Sequence, residues 1–93
     1  MTAEIEVLAH IAAAARYMAT VGRVTDLPLD LRRLRCASIG IEAAIGEFEA
    51  AQRKSRGEPA LLAMLVEFQE TINELEEARR MIEETRLLFE EAP

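Results

Sequence analysis

The sequence predicts an all-α protein of three helices, in which helices 2 and 3 form an antiparallel coiled-coil hairpin and an alanine-rich helix 1 packs alongside. Three observations carry this. Ala, Glu, Leu and Arg, all strong helix formers, dominate a chain of 93 residues. Glycine and proline are few and sit where helices would start or stop, apart from Gly40 and Gly46. Two long stretches repeat apolar residues in steps of three and four, the seam of a coiled coil. The first is Val24, Leu27, Leu31, Leu34, Ser38, Ile41, Ile45, Phe48, Gln52; the second is Leu61, Leu65, Phe68, Ile72, Leu75, Arg79, Ile82, Arg86, Phe89.

Helix 1 is predicted over about 3–21, with Thr2 as N-cap, Glu4 complementing the helix dipole and Gly22 as the stop. Helix 2 is predicted over about 28–55. Asp26 would cap it and Pro28 would sit in its first turn, where the missing N–H costs nothing. Gly40 and Gly46 lie inside it, each a weakening of about 1 kcal/mol relative to alanine. Gly57 would end it. Helix 3 is predicted over about 59–91, with Glu58 as cap and Pro59 at its first position. A fold at Arg56-Gly57 then sets Phe48 against Leu65, Ile45 against Phe68, Ile41 against Ile72, Leu31 against Ile82 and Val24 against Phe89, with Ser38 opposite Leu75.

The heptad frame also assigns the flanks. Arg35, Glu42, Glu49, Gln69, Glu76, Glu83 and Glu90 form a polar one, across which Arg35 could reach Glu76 or Glu83. Ala37, Ala44, Ala51, Met64, Thr71, Ala78 and Thr85 form a small, mostly apolar one that lets another helix approach. Helix 1 carries two stripes to offer it: Ile5, Leu8, Ala12, Ala15, Ala19, and beside it Val7, Ile11, Ala14, Met18, Val21. This arc is wider than one contact needs. Helix 2 adds Cys36, Ile39, Ala43, Gly46 and Ala50 on its back. Surplus apolar area on a small domain marks an interface. Self-association, as a homodimer, is therefore expected through Ile11, Met18, Ile39 and Ala43, and binding of another protein through Met81, Leu87 and Leu88.

At this length a single domain, 1–93, is expected. The net charge of −6 is uneven: residues 1–57 sum to +1 and residues 58–93 to −7. Acidity of this kind repels nucleic-acid phosphates and anionic membranes, so neither is an expected partner. Clusters of Arg32, Arg33, Arg35 and of Arg53, Lys54, Arg56 are accounted for by structure, the second by the dipole at the end of helix 2.

Chemistry-bearing residues are sparse. Cys36 is the only cysteine, which excludes an intrachain disulfide, suits a reducing, cytoplasmic compartment and reads as a buried structural thiol. The N-terminus, with Glu4 and Glu6, does not read as a signal peptide, and no stretch reads as a membrane span. His10, the only histidine, has Glu6 four residues before it, too few ligands for a metal site. Glu67, Glu70, Glu74 and Glu77 line one face of helix 3 and lack the inward Glu-x-x-His elements of a di-metal bundle. Glu76 and Arg80 stand at ion-pair spacing. No nucleophile elbow, phosphate loop or dinucleotide fingerprint occurs. The expectation is a non-enzymatic protein-interaction module without metal, cofactor or catalytic residues. The alternative is an acidic inhibitor or nucleic-acid mimic that blocks a basic surface with the row Glu67, Glu70, Glu74, Glu77.

Overall fold

A computed structural model describes residues 2–91. It is all-α: α1 (Thr2–Thr25), α2 (Leu31–Arg56), a 3-10 turn (Pro59–Leu61) and α3 (Met64–Glu91). α2 is the centre, with α1 packed on one side and α3 on another, while α1 and α3 scarcely meet. The result is a rod with extents of 54 × 19 × 14 Å.

α1 runs through Gly22 to Thr25 instead of stopping there. Gly22 keeps helical hydrogen bonding, with Asp26 N–H donating to its carbonyl at 3.1 Å. The Thr25 hydroxyl closes the last turn on the Val21 carbonyl at 2.9 Å. Val24 therefore belongs to α1, and the seam of α2 begins at Leu31. Thr2 is the first helical residue rather than the cap. α2 starts three residues later than predicted because Asp30, not Asp26, is its N-cap: its carboxylate accepts from Arg33 N–H at 2.8 Å. Pro28 lies in the connection, where its carbonyl accepts from the Arg33 guanidinium at 2.6 Å.

α2 ends at Arg56 with Gly57 as C-cap, as predicted, but Gly57 takes ordinary right-handed backbone (φ −82°), so no left-handed turn requires glycine. The stop comes from Pro59, which forces its predecessor out of helical geometry. Glu58 is accordingly extended at φ −123°, ψ 111°, and its side chain makes no cap hydrogen bond. Pro59 opens only the 3-10 turn, and α3 begins at Met64, five residues later than predicted.

This longer connection shifts the hairpin register. Ser38, expected opposite Leu75, donates to Glu83 at 2.7 Å, and Gln52, expected opposite Leu61, donates to Gln69 at 2.9 Å. Each partner lies eight residues beyond the expected one, about 12 Å along a helix. A serine side chain cannot span that. Arg79 reaches Glu42 at 3.5 Å, and Arg35 reaches Glu90 at 3.4 Å rather than Glu76 or Glu83. The rungs set by a fold at Arg56-Gly57 are thus replaced by a register slid at least one helical turn. The physical reason is the seven-residue connection 57–63, whose midpoint is Ala60. A repeat of threes and fours still matches apolar to apolar after such a slide.

The core consists of two clusters. One joins Ala14 and Val21 of α1 to Ala37, Ile41, Ala44 and Ile45 of α2 and to Ile72 and Leu75 of α3. The other joins Val7, Ala51 and Phe68. Phe48 packs against both, its ring centroid 6.1 Å from that of Phe68. Ala37, Ala44 and Ala51 are fully buried, so the α2 half of the predicted flank receives α1, whereas its α3 half, Met64, Thr71, Ala78 and Thr85, scarcely meets α1. Only one of the two α1 stripes is used, the one containing Val7, Ala14 and Val21. Gly40 explains how close the helices come: a Cβ there would lie 2.6 Å from Val21 Cγ2.

Candidate functional site

Polar contacts tie the rod together and consume most of the groups with chemical potential. His10 Nδ1 lies 2.6 Å from Glu47 Oε2, an α1–α2 contact. Glu6 takes Lys54 at 2.9 Å. Arg80 binds Glu77 and, at 2.5 Å, Glu84, not Glu76. Hydrogen bonding to Arg80, reinforced by its charge, holds the Glu77 carboxyl below the usual carboxylate range. Glu83 is likewise held low, first by the Ser38 hydroxyl and next by Arg86 at 2.9 Å.

A polar cleft of about 660 Å³ lies between α2 and α3, lined by Ser38, Glu42, Glu76, Arg79, Arg80 and Glu83. Of its charged groups all but Glu76 are already paired within the chain. Its lining holds no histidine or thiol, and the Ser38 hydroxyl donates its hydrogen bond to Glu83. Such a cleft offers no convergent acid, base and nucleophile. Among the described residues no group of three or more His, Cys, Asp or Glu could hold a metal, and no helix is long and apolar enough to cross a membrane. Cys36 is exposed, which corrects the expectation of a buried thiol. The reason is the α1 docking direction, which covers Ala37 and leaves the back of α2 open.

Several large apolar side chains are also left without intramolecular use. Met81, Leu87 and Leu88 are exposed as predicted, at 57%, 50% and 68%. Leu27, Leu29 and Phe89 join them. Leu27 and Phe89 were expected in the seam and instead end outside it, because the seam of α2 begins only at Leu31. The α1–α2 connection, with Leu27 and Leu29, and the C-terminal end of α3, with Leu87, Leu88 and Phe89, occupy the same end of the rod, while Met81 stands about 15 Å before the end of α3. Sequence reasoning missed Leu29 and misplaced Leu27. The available signal was Asp30, an N-cap candidate just after Pro28, which puts both leucines in a loop.

The expected self-association residues are divided by the fold. Ile11 and Met18 are half-buried against the chain's own two clusters. Ile39 is exposed and Ala43 is half-buried on the back of α2. Glu67, Glu70, Glu74 and Glu77 are all exposed on α3, as the spacing predicts.

No family model, no curated protein and no solved structure matches the chain.

Proposed function

We propose that this protein is a non-enzymatic interaction module that binds an amphipathic helix of another protein at the apolar end of the rod. The observation that carries this is the exposure at that end of five large apolar side chains, Leu27, Leu29, Leu87, Leu88 and Phe89, with the exposed Met81 two turns before Leu88 on α3. Monomeric surfaces rarely leave so many together without a use. Met81 and Leu88 stand one heptad apart on α3, the spacing at which a helical ligand presents its anchors.

The acidic reading keeps one supporting observation. Glu67, Glu70 and Glu74 make no ion pair among the described residues, whereas Arg80 neutralises Glu77. A basic surface would find three unpaired carboxylates in a row.

The test uses the whole chain as bait in lysate of its host, followed by direct titration of the captured protein in purified form. Met81→Glu with Leu88→Glu is expected to weaken binding more than tenfold, since a carboxylate cannot be buried unpaired. Replacing Glu67, Glu70, Glu74 and Glu77 by Gln is expected to change affinity less than threefold. The reverse pattern, with binding abolished by the Gln changes and by raised salt, would establish the acidic reading instead.

A further inference from the structure

We draw no further inference here: the strongest candidate, the open flank between α1 and α3 bordered by the half-buried Ile11, Met18, Phe48, Met64 and Ala78, carries nothing, because nothing in the structure shows what covers it.

Discussion

The Ser38 hydroxyl donates a 2.7 Å hydrogen bond to Glu83 Oε1 across the α2–α3 seam, with Ser38 only 8% exposed. Arg86 grips the other oxygen of the same carboxylate. A polar residue in an apolar seam costs stability unless it is satisfied, and a satisfied one fixes register. This contact marks the observed register: one turn away on α3 Ser38 would stand beside Arg79 or Arg86, which offer no carboxylate to accept its proton.

A double-mutant cycle on Ser38→Ala and Glu83→Gln is expected to return a coupling of about 1 kcal/mol, the low end for a charged acceptor because Glu83 is partly solvated. The single variants should unfold at lower urea than wild type. A cycle that sums to zero would mean that the pair does not fix the register. The same contact sets a pH dependence. Glu83 and Glu77 have folded-state pKa values below their unfolded ones, so both stabilise the fold above the ordinary carboxylate range. That contribution is lost as pH falls through their lowered values. Thermal midpoints should drop on acidification below about pH 4.3, and the drop should be shallower for Glu83→Gln. An equal drop in wild type and variant would exclude Glu83 as a source.

The two internal glycines of α2 should respond in opposite directions to alanine. Gly46 has open space where a Cβ would sit, so Gly46→Ala should gain about 0.5–1 kcal/mol from helix propensity alone. At Gly40 the added Cβ would lie 2.6 Å from Val21 Cγ2, and valine is stiff at χ1. Overpacking of about 1–3 kcal/mol outweighs the propensity gain there, and Gly40→Ala should destabilise. Denaturant midpoints read both. Stabilisation at Gly40 would show that α1 sits further from α2 than described.

Ser55 is fully buried and its Oγ has no hydrogen-bond partner among the described residues. An unsatisfied buried hydroxyl carries a desolvation cost of about 1–3 kcal/mol. Ser55→Ala should therefore raise stability, by about 1 kcal/mol, with no change in helix content. A loss of stability would reveal a partner for the hydroxyl, such as an ordered water.

The sequence by itself determined the helices and most of their uses. Periodicity and propensity are local, so three helices, their order and the docking of α1 on Ala37, Ala44 and Ala51 were all legible. Exposure of Met81, Leu87, Leu88 and the row Glu67, Glu70, Glu74, Glu77 followed from the heptad frame. Only the tertiary structure decided the register, the choice of stripe and the free surfaces. A coiled-coil seam matches itself at several offsets, and the offset is set by the seven residues between Arg56 and Met64, whose path depends on Pro59. Both α1 stripes are apolar, and the close approach at Gly40 goes with burial of the one containing Val21. His10 meets Glu47 and Cys36 faces outward for the same reason: where a side chain on a helix points in the molecule depends on which face its neighbour occupies, and no local pattern encodes that.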